Sequence, residues 1–361
     1  MIMKILDKYI IKRFLFSFLL AIGLLLLIII AFDISEKIDD FIDKQAPFSE
    51  IIFKYYFNFI PYFINLFSPL FVFIAVVFVV SKMAVNTEII AILTNGISFN
   101  RLLLPFIYTG IFLAIFSFFL QNFLIPPANA VRLEFEKKYI RNAKPFGIRD
   151  IHMQISPNEY VFIESFSFKT NKAMMFTLES IDFKKGLNRK ISANMAQYDS
   201  ITGRWTLKDV YDRIILDSTE KLNYFQEIDT VLAMVPKDFD AKNRNLEVLD
   251  FFELNEYIKK QKMRGADNIK FLEVERHRRI AFPFATVILT IIGVAVSSRK
   301  TRGGTGLHIG IGISLSFAFI LMMQISTTFA TNGNLPPALA VWIPNIIFSV
   351  VAYFLVKMTP K

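Results

Sequence analysis

The chain has 361 residues, a net charge of +10, 54% hydrophobic residues and no cysteine. Its mean hydropathy of +0.45 is high for a soluble protein, and its charges are uneven: 17 fall in residues 1–125, 47 in 126–275 and 8 in 276–361. These values exclude a simple cytosolic enzyme and a disordered chain, and the missing cysteines exclude disulfides, thiolate metal sites, iron–sulfur clusters and cysteine nucleophiles.

In chain order, the first long uncharged run is Phe14 to Phe32. It approaches the roughly 20 apolar residues needed to cross a bilayer. It lacks a small-residue cleavage site and is longer than a signal-peptide core, so it reads as a span. Tyr55 to Ser81 is the second run, interrupted by Pro61 and Pro69. Leu102 to Val131 is the third, ending near Pro126-Pro127, and Ile280 to Ser298 is the fourth. Gly303 to Val356 is too long for one span, and the turn chemistry of Thr331-Asn332-Gly333-Asn334-Leu335-Pro336-Pro337 divides it at about 307–329 and 338–356. The fold class is therefore a membrane α-helical protein of six spans, in two groups of three, with a polar insert between spans three and four. Residues 1–131 hold spans one to three, 132–276 the insert, and 277–361 spans four to six.

The insert changes period. Glu159–Glu164, Met174–Phe183, Ile191–Tyr198 and Trp205–Val210 read as short strands, with turns at Lys185-Gly186-Leu187-Asn188 and Ser200-Ile201-Thr202-Gly203. That spacing predicts an all-β sandwich or barrel-like sheet. Over 248–264 the period becomes helical, with Leu249, Phe252, Leu254, Tyr257 and Ile258 on one face and Gly265 ending the helix.

Orientation follows from Lys and Arg in short loops. Lys4, Lys8, Lys12, Arg13, Lys82, Arg101, Arg299, Lys300, Arg302, Lys357 and Lys361 gather on the side of both termini, which predicts cytoplasmic termini and an external insert. The cluster Arg276-His277-Arg278-Arg279 runs against this bias. The net positive charge thus belongs to membrane edges, not to a nucleic-acid surface. His152, His277 and His308 are scattered without an HExxH, which argues against a zinc hydrolase. No G-x-x-x-x-G-K-[ST] occurs, so any ATP is hydrolysed by a partner.

Five segments, in order, carry a family resemblance. They are Leu6-Asp7-Lys8-Tyr9-Ile10 before a Phe-rich helix, Thr87–Ser98 between spans two and three, Ile125-Pro126-Pro127-Ala128-Asn129, Arg279–Pro283 running to Ile292-Gly293, and Leu335-Pro336-Pro337 followed by Trp342-Ile343-Pro344-Asn345. Together they resemble the LptF/LptG (YjgP/YjgQ) permeases of the lipopolysaccharide exporter, with the first and last looking more like LptG than LptF. The resemblance implies a non-catalytic permease of an ABC transporter in the inner membrane of a Gram-negative bacterium. It implies a cytoplasmic ATPase dimer, a paralogous or identical permease chain and a periplasmic bridge protein as partners. No cofactor is implied on this chain. It implies extraction of lipopolysaccharide from the outer leaflet, with a periplasmic jellyroll-like β domain receiving it.

The resemblance also assigns roles. The segment at about 86–96 matches the coupling helix, with Glu88 as the acid that meets an arginine of the ATPase and Gly96 ending it; a solvated helix N-terminus is the plain alternative. Ile89, Ile90, Ile92 and Leu93 need cover, which favours docking. Lys37, Lys44, Arg132, Arg276, Arg278 and Arg279 lie where a phosphorylated headgroup would favour cations. Interfacial snorkelling, the neighbouring Asp33, Glu36, Asp39, Asp40 and Asp43, and pairing with Glu273 or Glu275 are the competing readings. Phe14, Phe16, Phe18, Phe57, Phe59, Phe63 and Phe67 either line an acyl-chain cavity or pack helices. A membrane-anchored sensor or assembly scaffold is the alternative function. A lipid-acting enzyme or an ion-coupled carrier would place ionisable residues inside the spans, and spans three to six contain no Asp or Glu.

Overall fold

A computed structural model describes residues 4–140, 148–182, 186–216, 219–236, 238–239, 246–263, 265–266, 269–298 and 304–359. Arg299, Lys300, Arg302 and Lys361 lie outside these. The chain divides into two compact units: residues 1–141, 247–254 and 270–361 form the first, and 142–246 with 255–269 the second.

The first unit is helical. Helix α1 spans Ile5–Asp43. The short α2 (Phe48–Glu50) continues through a π-helical turn at Ile51–Tyr56 into α3 (Phe57–Val85). A short α4 (Glu88–Thr94) precedes α5 (Phe99–Phe119), which passes through a second π turn, Leu120–Leu124, into α6 (Ile125–Tyr139). After the insert come α7 (Phe251–Met263), whose residues 255–263 belong to the second unit, and then α8 (Ile269–Ser297), α9 (Gly304–Asn332) and α10 (Pro337–Met358). Among the described residues six rods are long and apolar enough to cross a membrane: Ile5–Asp43, Phe48–Val85, Phe99–Tyr139, Ile269–Ser297, Gly306–Asn332 and Pro337–Met358.

These rods outrun the hydropathy signal. The boundaries read at 132 and 276 fall inside α6 and α8. Outside the apolar layer a helix keeps its hydrogen bonds while its side chains turn polar, so composition changes before the backbone does. Pro61 and Pro69 likewise do not break the second rod. Neighbours replace missing ladder bonds: Pro344 has no N–H for the Ala340 carbonyl, and Ser326 Oγ donates to it at 2.5 Å. Close approach needs glycine at Gly312, where a Cβ would lie 2.1 Å from the buried Phe73 ring.

One apolar core gathers Ile10, Phe14, Val76, Ile89, Leu102 and Phe106 from α1, α3, α4 and α5. A second gathers residues of α3, α8, α9 and α10 around Phe73, Phe319 and Phe348. Phe14 and Phe18 are thus buried, whereas Phe16 and Phe57 face outward.

The second unit carries the inserted all-β domain. Strands β1 (Ile148–Ser156), β2 (Glu159–Ser167), β3 (Lys172–Asp182), β4 (Gly186–Tyr198), β5 (Trp205–Ile215) and β6 (Glu220–Thr230) form one antiparallel sheet in chain order. Four were legible; β1 and β6 were not. Asp199 accepts from Ile201 N and Thr202 Oγ in the β4–β5 turn, where Gly203 has φ +69°. One face is buried around Trp205, whose indole N–H donates to the Met234 carbonyl at 3.0 Å.

A crease crosses the whole sheet. Asp150, Glu164, Met175, Asn194, Asp209 and Gln226 face one another strand to strand, yet each is skipped in the register of its neighbours. Asp150, Met175 and Asp209, on alternate strands, have φ of 54°, 51° and 53°. Buried residues flanking this line are three apart instead of two: Ile163 and Phe166, Ala173 and Phe176, Ala193 and Ala196, Leu207 and Val210. The alternation of a flat strand is reset there, so both halves turn the same face to the core.

Candidate functional site

The candidate residues lie at the two ends of the helical unit. At the end holding α4, Asn86 closes α3 and Thr87, at φ +60°, turns the chain. Helix α4 ends in paired bonds from Gly96 N to Leu93 O and from Ile97 N to Ile92 O, with Gly96 at φ +80°. This is the left-handed stop that glycine accepts at little cost. Ser98 then caps α5 by accepting from Arg101 N at 3.4 Å.

Three of the apolar residues on α4 do not await a partner. Ile89 is 3% exposed inside the first core, and Ile92 and Leu93 pack against it, because positions 89, 92 and 93 form one helical face. Ile90, Ala91 and Thr94 form the exposed face. Glu88 accepts from Tyr9 Oη at 3.0 Å, from Arg13 at 3.2 Å and from Asn86 at 3.1 Å. Burial pushes its carboxyl up, but the bonds from Asn86, Tyr9 and Arg13 outweigh that and hold it below the ordinary value. Arg13 also donates to Tyr9 and lies 4.8 Å from its ring centre. Beyond α4, Arg101 donates to the buried Asp7 at 2.7 Å. Sequence reasoning had counted Arg13 and Arg101 only as orientation markers.

At the opposite end of the rods two polar clusters form. In the first, Asp33 accepts from Lys37 and from the hydroxyls of Tyr55 (3.2 Å) and Tyr56 (3.1 Å). Lys37 also donates to Tyr55, whose ring packs with Phe41, Phe59 and Phe135. Lys44 donates to the Ile140 carbonyl at 3.3 Å.

The second cluster joins α3, α6, α8 and the connector after the sheet. Arg132 lies 3.6 Å from Glu136 and 3.6 Å from Glu247, and 5.5 Å from the Tyr62 ring. Asn129 donates to the Glu247 carbonyl at 3.3 Å. Arg279 is 2% exposed, and donates to Glu275 at 3.2 Å and to the Leu249 carbonyl at 2.6 Å. Arg278 is half-exposed and pairs with Glu275 at 2.7 Å. The Arg276 guanidinium meets the His277 ring at 3.1 Å. The structure therefore brings Arg132, Arg278 and Arg279 into one neighbourhood, and Lys37 and Lys44 into another. Among the described residues no cluster of His, Asp and Glu offers a metal site.

The long rods interrupted by a β insert, with charges confined to their ends, are the frame of a transport subunit. Over residues 8–358 the chain matches the family described as lipopolysaccharide export system permease LptF/LptG. The chain belongs to the LptF/LptG permease family. That match is common to both members and does not separate LptG from LptF. No curated protein matches the chain. An LptF/LptG permease is a multi-pass membrane protein and a transport subunit, and the six apolar rods with an all-β insert after the third agree with that architecture.

Proposed function

We propose that this LptF/LptG permease is the membrane subunit of an ATP-driven exporter in the bacterial inner membrane. It takes lipopolysaccharide from the outer leaflet and passes it through its β domain to a periplasmic bridge protein. The observation that carries the reading is a family match covering nearly the whole chain, insert included. Both termini and α4 lie in the cytoplasm, and the sheet is periplasmic, following the Lys and Arg bias.

The chain has no phosphate loop, so a dimeric ATPase partner supplies hydrolysis. Helix α4 docks on it through Ile90, Ala91 and Thr94, with the remaining exposed part of Glu88 facing an arginine. A second permease chain, identical or paralogous, completes the cavity. At the periplasmic edge, Arg278 and Arg276 are placed to meet a phosphorylated headgroup, because both reach the surface more than Arg279 does. Lys37, Lys44 and Arg132 border the same edge with their charges shared among Asp33, Ile140 O, Glu136 and Glu247.

The test is purification in detergent, identification of co-purifying ATPase, and reconstitution with lipopolysaccharide. ATP-dependent release of lipopolysaccharide to a bridge-protein acceptor is the expected result. Arg278→Glu weakens the stimulation of ATPase activity by lipopolysaccharide. A chain that retains no ATPase and moves no lipid is a scaffold instead.

A further inference from the structure

We infer that the cytoplasmic start of α1 and the α4 segment form one rigid body, stapled by an ion pair at the first residue of α4 and by another in the first turn of α5, and that Arg13 is a positioning residue for Glu88. The inference rests on the coupling role proposed above and adds how movement of α4 reaches the first span.

Four observations converge. Glu88, the first residue of α4, is bonded to Tyr9 and Arg13, which lie one turn apart on α1. Arg101, in the first turn of α5 behind that helix's Ser98 cap, is bonded to Asp7, two residues before Tyr9 on α1. Asp7 is 6% exposed, and the same Oδ2 also accepts from the Lys4 backbone N–H at 3.0 Å. Between the two pairs, Ile89 is buried in the core that holds Ile10 and Phe14.

The geometry matters because α4 has seven residues. A helix that short does not hold itself together in water, so its orientation is set by what it is fastened to. One ion pair would leave it free to swivel. Two pairs, one at its first residue and one in the first turn of α5, restrain it from both sides. The stop at Gly96 and the cap at Ser98 leave little slack between α4 and Arg101. All four charged partners of the staples lie on α1, α4 and α5; Lys8 and Lys12, the other cations of that stretch of α1, are exposed. A push on α4 is then a push on α1. Arg13 and Tyr9 also hold the Glu88 carboxylate in one place before docking, which spares the ordering entropy of a long side chain.

The absence of cysteine makes the test direct. Spin labels are placed at Lys12→Cys and Asn95→Cys, and their distance is measured in vesicles, for the chain alone and with its ATPase, with and without ATP. The expected distribution is narrow and does not move with nucleotide; it broadens when Arg13→Ala and Arg101→Ala are combined. Transport per ATP falls about five- to tenfold in Arg13→Ala, and Arg13→Lys recovers part of it. Arg101→Asp loses coupling, and adding Asp7→Arg restores it, since that pair involves no partner cation. A distance that changes with nucleotide in the parent, or an Arg13→Ala chain that couples like the parent, overturns the inference. If the parent retains no ATPase, the coupling role fails separately. The staple is then judged by label width in the chain alone: narrow in the parent and broad in the double variant supports it, and equal widths overturn it.

Discussion

Arg279 and Arg278 are adjacent in sequence and share Glu275, yet burial gives them different work. Arg279 is enclosed, with Glu275 on one side and the Leu249 carbonyl on the other. Removing it leaves Glu275 and that carbonyl short of a donor inside the fold. Arg279→Ala therefore lowers stability by about 3–5 kcal/mol, read as a large drop in thermal midpoint in detergent. Arg278→Ala, at a half-exposed pair, changes it by about 1 kcal/mol or less. Equal effects would remove the distinction. Glu88 gives a pH prediction. Its folded carboxyl lies below the ordinary value of 4.5, so the contribution of its bonds is present above 4.5 and is lost as pH falls through the lower folded value. The difference in thermal midpoint between the parent and Glu88→Gln stays flat through the neutral range and closes only in acid. The Glu275–Arg279 pair was legible as an i,i+4 spacing. The Asp7–Arg101 pair was not, because its members are 94 residues apart and only the packing of α1 on α5 brings them together.

Elements were legible wherever periodicity survived. The apolar runs gave all six rods, since each is governed by one requirement, an uncharged stretch long enough for the bilayer. The sheet was harder because of its crease. In β1 the apolar positions Ile148, Ile151, Met153 and Ile155 step by three and then by two, so strict alternation fails at Asp150. In β6 the strand is largely exposed, and Asn223, Gln226 and Glu227 dilute its pattern. The crease itself is testable at Met175, an exposed residue at φ 51°. Left-handed backbone costs an ordinary side chain roughly 1–2 kcal/mol and a β-branched one more. Met175→Gly is therefore neutral to stabilising by about 1 kcal/mol, whereas Met175→Val destabilises by about 1–2 kcal/mol, measured by thermal unfolding and by amide exchange in β2–β4. The reverse order would mean that the reset does not depend on left-handed backbone.

At the scale of the whole molecule, rod length and end charge bear on the proposed orientation. Helix α1, with 39 residues, is about 58 Å long, nearly twice the hydrocarbon thickness of roughly 30 Å. Its acidic end from Asp33 to Asp43 therefore stands outside the apolar layer, and its basic start stands at the other surface. Six crossings return the C-terminus to the side of the N-terminus. The proposed cytoplasmic side of α4 rests on cations in short segments: Lys82 and Arg101 flank α4, while the turn at 330–337 has none. The Arg276–Arg279 cluster does not reverse this, because it adjoins an insert of well over 60 residues, and long insertions translocate largely regardless of charge. Single cysteines at two exposed positions, Thr170→Cys on the sheet and Asn95→Cys after α4, then report the two faces independently. In intact cells with a permeabilised outer membrane, an impermeant thiol reagent labels residue 170 and spares residue 95. In inside-out vesicles the pattern inverts. Labelling of residue 95 from the periplasm would put α4 beyond reach of any cytoplasmic ATPase and remove the coupling role with it. Labelling of both positions from one side would mean an even number of crossings between them, and the third rod, Phe99–Tyr139, would have to lie along the membrane instead of through it.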